Sequence, residues 1–203
     1  MKTKSEARRL HIVEVATEVF RESGFERTSM AEISARVGGS KATLYNYFSS
    51  KEKLFLEVMV SSNQQQFDAA QALLDFSDAT FKQALQQFGV ALLKLLFSPD
   101  VLSVRRLVIA EALRSDLGHD CYRRSRKLGE QRISERLQLA IDKGILKTVD
   151  ANRMTTHLLG LLESEFTEWL VWRDAPELTE PQLQAAVERA VDVFWMAYGK
   201  QSD

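Results

Sequence analysis

The sequence predicts an all-α protein of about nine helices. Apolar residues recur at intervals of three and four in almost every segment, the mark of helices with one face turned to a core. No stretch alternates as a half-buried strand does, and no internal repeat is found. The 203 residues include only 3 prolines and 9 glycines, and the breaks they make fall between the periodic runs.

The first run, from Glu6 to about Ser23, places Ile12, Val13, Ala16, Val19 and Phe20 on one face and stops at Gly24. Ser29 and Glu32 have capping-box spacing and open a second helix packed by Ala31, Ile33, Ala35 and Val37. Gly38 and Gly39 end it, because glycine turns tightly without steric cost. Ser40 caps a short third helix that Leu44 and Phe48, four apart, anchor to the core. Ser49 or Ser50 caps a longer helix through Leu54, Phe55, Val58 and Met59 to about Leu74. Five further runs follow: Phe81 to Leu95, halted at Ser98-Pro99; Val101 to about Arg114; Cys121 to about Lys143, closed by Gly144; Asp150 to about Trp172; and Thr179 to about Tyr198. A domain boundary is expected at 53/54, with a three-helix domain at 1–53 and a larger helical domain at 54–203.

Two short helices hinged at a double glycine, the second rich in groups that bond phosphates and base edges, read as a helix-turn-helix for double-stranded DNA. With Leu44 and Phe48 turned inward, Lys41, Ala42, Thr43, Tyr45, Asn46 and Tyr47 lie outward or on the rims. So short a helix needs a partner surface for its second aromatic face, and a DNA groove provides one. Thr28, Ser40, Thr43, Tyr45, Tyr47 and Lys51 are hydroxyl or ammonium donors near helix N-termini, suited to phosphates. Lys41 and Asn46 are the expected base readers, since Lys donates to guanine and Asn pairs with adenine in the major groove. Ser29 and Ala42 complete the expected contact set. Packing is the competing role for Tyr45 and Tyr47.

From Gly24-Phe25 through Lys53-Leu54, including the unbroken block Ser40-Lys41-Ala42-Thr43-Leu44-Tyr45-Asn46-Tyr47-Phe48-Ser49-Ser50-Lys51-Glu52-Lys53-Leu54, the chain resembles the TetR family of bacterial transcriptional repressors. Two positions depart from the family pattern: Gly39 stands where a β-branched residue is usual, and Ala42 where glycine is commoner. Both bear on the docking angle. Arg105-Arg106-Leu107-Val108-Ile109-Ala110-Glu111-Ala112 also looks like the ligand-binding half of one TetR subgroup. The resemblance implies a C-terminal domain that binds a small effector and dimerises through a four-helix bundle.

Composition agrees with that picture. The formal net charge is −1, but residues 1–53 hold 10 Lys and Arg against 7 Asp and Glu, and the remainder 17 against 21. A mildly basic end on an acidic body fits DNA at that end. A single cysteine, Cys121, excludes an internal disulfide and fits a reducing cytoplasm. The N-terminus lacks the apolar core of a signal peptide, and the run from Ala91 to Phe97 is broken by Lys94 and too short for a bilayer, so a soluble cytoplasmic protein without a membrane partner is expected.

The last two helices carry wide apolar stripes, and Leu158, Leu162, Trp172, Val187, Val191, Phe194 and Trp195 are expected at a homodimer interface. Packing inside one protomer is the alternative. An effector pocket is expected among Phe88, Leu92, Val104, Val108, Tyr122, Phe166 and Trp169, with Glu111 or Glu165 choosing the ligand's polar end. Arg105, Arg106 or Arg153 are the alternative partners of those carboxylates. No cofactor or metal is expected: His119-Asp120-Cys121 are adjacent and point apart, and no phosphate loop, nucleophile elbow or ligand pair at helical spacing occurs. An enzyme and a helical adaptor are the rival classes, and salt-dependent binding to DNA separates both from a regulator.

Overall fold

The computed structural model describes residues 4–74, 80–113, 115–172 and 176–200. They form ten α-helices: α1 Lys4–Arg27, α2 Met30–Val37, α3 Lys41–Tyr47, α4 Lys51–Ala72, α5 Phe81–Leu96, α6 Pro99–Glu111, α7 Leu117–Cys121, α8 Lys127–Asp142, α9 Ala151–Glu163 and α10 Glu180–Tyr198. A π-turn, Tyr122–Arg126, joins α7 to α8, which makes one helical run of a segment expected as a single helix. Among the described residues the sole β feature is an isolated bridge between Leu146 and Gly199. No single helix there is long and apolar enough to cross a membrane.

Local chemistry explains the breaks. Gly24 interrupts α1 with φ 74° and ψ 165°, a conformation open to glycine, and the helix resumes to Arg27 instead of ending at Ser23. Gly38 ends α2 in the left-handed region, φ 70° and ψ 52°, and its amide donates to the Ala35 carbonyl. Thr179 and Gln182 close a capping box at the start of α10. α6 ends at Glu111; the expected end at Arg114 lies outside the described residues. The helix expected to run from Asp150 to Trp172 stops at Glu163, and a 3-10 turn, Thr167–Leu170, follows it.

The chain forms two compact units, residues 1–62 with 107–118, and residues 63–106 with 119–203. α4 and α6 each run from one unit into the other. In the first unit Ile12, Ala16 and Val19 of α1, Ile33 of α2, Leu44 of α3 and Leu54 of α4 are buried. Phe20, Phe25 and Phe55 pack ring on ring, with centroids 4.8–6.2 Å apart. In the second unit α10 packs on both α5 and α9, and α8 packs on α9. Phe81, Leu85, Phe88 and Leu92 of α5 meet Leu158 and Leu162 of α9 and Val187, Val191 and Phe194 of α10 in one core. Backbone bonds from Lys147 to Tyr198 and from Lys200 to Ile145 fasten the loop after α8 to the end of α10.

Candidate nucleic-acid interface

The third helix is built to be held on one side and open on the other. Ser40 caps it: its hydroxyl accepts from the Thr43 amide at 3.1 Å and pairs with the Thr43 hydroxyl at 2.9 Å. Such a cap contributes about 1 kcal/mol to a helix of this kind. Leu44 is buried, and so is Phe48, whose amide closes the last turn on the Leu44 carbonyl at 3.0 Å. Lys41, Ala42, Tyr45 and Asn46 are all exposed, and their spacing of i, i+1, i+4 and i+5 makes them a single face. Among the described residues the side chains of Lys41 and Asn46 have no polar partner, so their donors and acceptors stay available to base edges. Thr43 is half-buried on the rim. Tyr47, also half-buried, lines an open hollow with Ser5, Ala7, Arg8 and His11 of α1.

Three of the expected DNA contacts also bond within the protein. Thr28 is only 2% exposed and its hydroxyl donates to the Gly24 carbonyl at 2.7 Å, so it fastens the chain where α1 is broken and has no proton left for a phosphate. Ser29 is exposed and caps α2, its hydroxyl oxygen accepting from the Glu32 amide at 3.1 Å, which leaves its proton free to donate. The Lys51 ammonium donates to the Phe25 carbonyl at 2.8 Å and lies 4.2 Å from the Phe25 ring centroid. A cation at the carbonyl end of α1 and over an aromatic face is favoured twice. Lys51 is thus a clamp between α4 and α1.

The expected effector residues are spread over both compact units. Phe88, Leu92 and Phe166 belong to the core, and Trp169 packs against it. Val108 and Glu111 lie in the other compact unit. Tyr122 is exposed in the π-turn and donates to the Glu130 carboxylate, whose charge pushes the phenol above its usual range. Glu165 faces solvent and receives both Nε and Nη2 of Arg189, at 2.9 and 2.6 Å. The hydrogen bonds from Arg189 hold its carboxyl below the usual carboxylate range. Its partner is therefore Arg189, not Arg105, Arg106 or Arg153. The half-buried ion pair of this region is instead Arg105 with Glu163. It stands beside an aromatic group in which Phe97, Phe166 and Trp169 have ring centroids 5.3–6.1 Å apart. Arg105 also lies over the Phe97 ring, and Arg106 donates to the Trp169 and Trp172 carbonyls. Glu163 is the last residue of α9, and only a helix continued through the turn at Ser164 would put Glu165 in the stripe in its place.

The expected dimer residues need the largest correction. Leu158, Leu162, Val187, Val191 and Phe194 are all buried within one protomer, because α5 supplies the cover that a partner copy was expected to give. Trp195 is half-buried, 6.1 Å from the Phe81 ring. Of that set only Trp172, 44% exposed, faces outward. The large apolar side chains that α10 does present to solvent are Val193 and Met196, the latter 73% exposed.

Comparison with known proteins settles the family. A model described as "AefR-like transcriptional repressor, C-terminal domain" matches residues 83–200, more than half of the chain. A second, "Bacterial regulatory proteins, tetR family", matches residues 12–58, the helix-turn-helix and its flanks. The chain belongs to the TetR family. This is a family of DNA-binding transcriptional regulators, not enzymes, and the residues matched by the second model include α2 and α3. Among curated relatives, the regulator AcrR of Shigella flexneri is 39% identical over 59 residues, 28% of this chain and 27% of that protein. The activator FasR of Mycolicibacterium smegmatis is 44% identical over 52 residues, 26% of this chain and 24% of that protein. The match thus spans about a quarter of these relatives' length. Solved structures extend over the whole chain. A TetR-family regulator from Mesorhizobium loti is 28% identical with a TM-score of 0.81, over 98% of this chain and 100% of that one. The "Flavonoid-responsive Regulator FrrA" is 25% identical with a TM-score of 0.70, over 97% and 99%.

Proposed function

We propose that this TetR-family protein is a homodimeric repressor that binds a palindromic operator and leaves it when a small apolar or amphiphilic effector binds. The observation that carries the reading is the exposed face of Lys41, Ala42, Tyr45 and Asn46 on a helix anchored from behind by Leu44 and Phe48. Lys41 and Asn46 read bases, and Ser40, Thr43, Tyr45 and Tyr47 position the helix on phosphates. Repression is favoured over activation by the C-terminal match, whose description names a repressor.

The outward face of α10 around Val193 and Met196 joins that of α9, where Thr156, Gly160 and Ser164 recur every fourth residue and are exposed, as the dimer contact. Small residues let two helices approach closely, and the exposed Met supplies apolar area. The effector site lies in the unit of residues 63–106 and 119–203, at Phe97, Phe166 and Trp169, with the Arg105–Glu163 pair and Arg106 as its polar groups. The likeness to a flavonoid-responsive regulator supports a ring-bearing effector. α4 is continuous from Lys51 to Ala72 with neither proline nor glycine inside it, which suits it to pass a tilt from one unit to the other.

Duplexes selected by the protein from a random pool test the reading. They are expected to be two-fold symmetric, with half-sites spaced by a helical turn of roughly 34–36 Å or more, and bound with a steep fall in affinity as salt rises. A protein that enriches no duplex is not a DNA-binding regulator. Inserting two glycines after Ser61 should leave effector binding intact, read by Trp169 fluorescence, while weakening the effector's effect on DNA; an undiminished effect removes α4 as the route.

A further inference from the structure

Two consecutive arginines of α1 reach the two ends of the reading helix. Arg8 extends to the turn before α3, where Nη2 donates to the carbonyls of Val37 and Gly38 at 3.5 and 3.3 Å. A cation there meets the negative end of the α2 dipole. Arg9 extends past the other end: its guanidinium lies 5.3 Å from the centroid of Phe48, the residue that caps α3. Its Nη2 is also 2.7 Å from Oε2 of Glu57, a buried carboxylate of α4. Both arginines are half-buried and engaged with acceptors of the protein itself.

Gly39 makes room for the first contact. A Cβ at this position would stand 2.9 Å from Arg8 Nη2. The obstructing atom is the far end of a flexible side chain, so a larger residue at 39 would push the guanidinium off the carbonyls and leave the fold standing.

We propose that Arg8 and Arg9 are positioning residues for sequence reading: they brace α3 at its two ends and set the pose from which Lys41 and Asn46 meet base edges, with Gly39 as the vacancy that lets Arg8 in. The proposal rests on the DNA-binding reading above. Its consequence is that the arginines govern the preference among sequences more than the general attraction to DNA. An arginine that touches a phosphate behaves otherwise, since its loss weakens all duplexes alike and lowers the salt slope by about one.

The test compares affinity for a duplex selected by the wild-type protein with affinity for a random duplex, across a range of salt, for Arg8→Ala, Arg9→Lys, Gly39→Val and the double variant Arg8→Ala/Gly39→Val. Each single change should lower the preference for the selected duplex by roughly 5- to 150-fold, the discrimination carried by one bidentate base contact, with the salt slope unchanged. Gly39→Val should add nothing to Arg8→Ala, because both remove the same contact. Equal losses on both duplexes with a slope reduced by about one, additive effects at 8 and 39, or an unchanged preference would each overturn the proposal. Amide NMR shifts of residues 41–47 in Gly39→Val, taken without DNA, read the pose directly. They should move; if they do not, the brace is refuted even where no duplex is selected, an outcome that by itself counts against the DNA-binding reading alone.

Discussion

Gly89→Ala and Gly160→Ala place the same methyl group in two neighbouring helices with opposite surroundings. Both glycines are interior to their helices, α5 and α9, so alanine brings each the same gain in helix propensity, about 1 kcal/mol. Within one protomer a Cβ at Gly160 meets nothing within 4 Å, and that gain should appear as added stability of the protomer, read at protein concentrations low enough to dissociate the proposed dimer, whose contact at this residue the methyl would weaken. At Gly89 a Cβ would lie 2.7 Å from Val187 Cγ1 and 2.8 Å from Leu162 Cδ2, well inside contact distance. Overpacking of that kind costs about 1–3 kcal/mol, so the two variants should differ by this amount once the shared propensity cancels. For a chain of this size each kcal/mol moves the melting temperature by roughly 2–4 °C, giving a separation of several degrees. Urea unfolding followed by circular dichroism, repeated at two protein concentrations to separate dimerisation from protomer stability, supplies the comparison. Should Gly89→Ala be as stable as Gly160→Ala, the packing of Leu162 and Val187 on α5 inside one protomer is wrong, and their assignment to a dimer contact returns.

Met196→Arg should convert the proposed dimer to monomers in sedimentation with little effect on unfolding, because its side chain is largely exposed in the protomer; a variant that stays dimeric moves the interface off the outer face of α10. Lys51→Met should lower stability by roughly 1–3 kcal/mol through the lost carbonyl and ring contacts and leave the salt slope of DNA binding unchanged, whereas a shallower slope restores Lys51 to the phosphates. Glu165 has a carboxyl held below its ordinary value by Arg189, so the pair's contribution is present above the unfolded-state value of about 4.3 and fades as pH falls through the lower folded-state value. Glu165→Gln should therefore differ from wild type at neutral pH by less than about 1 kcal/mol, this being an exposed pair, and the difference should vanish in acid; a gap that widens on acidification contradicts the assignment.

The helix-turn-helix was legible in the sequence because its signals are local. The serines at 29 and 40, the glycine at 38 and the apolar pair Leu44 and Phe48 act within a turn or two, and each acts in the structure as its chemistry dictates. What depends on distant chain was not legible. Whether a hydroxyl such as Thr28 faces DNA or a carbonyl four residues back is decided by burial. The stripes of α9 and α10 were visible, yet the choice between α5 and a second copy as their cover is made by packing, to which periodicity is blind. The ion pairs Arg105–Glu163 and Arg189–Glu165 join residues 58 and 24 positions apart, beyond the reach of any motif.

The central claim is that Lys41 and Asn46, on the exposed face of α3, read base pairs. The direct measurement is a base-by-base substitution scan of the selected duplex, performed with the wild-type protein and with Asn46→Ala. The account predicts that the variant loses its preference at one or two base pairs in each half-site, by about 1–3 kcal/mol, keeps its preference elsewhere and retains the wild-type salt slope. A uniform loss across all positions, or a preference profile identical to that of the wild type, would contradict it.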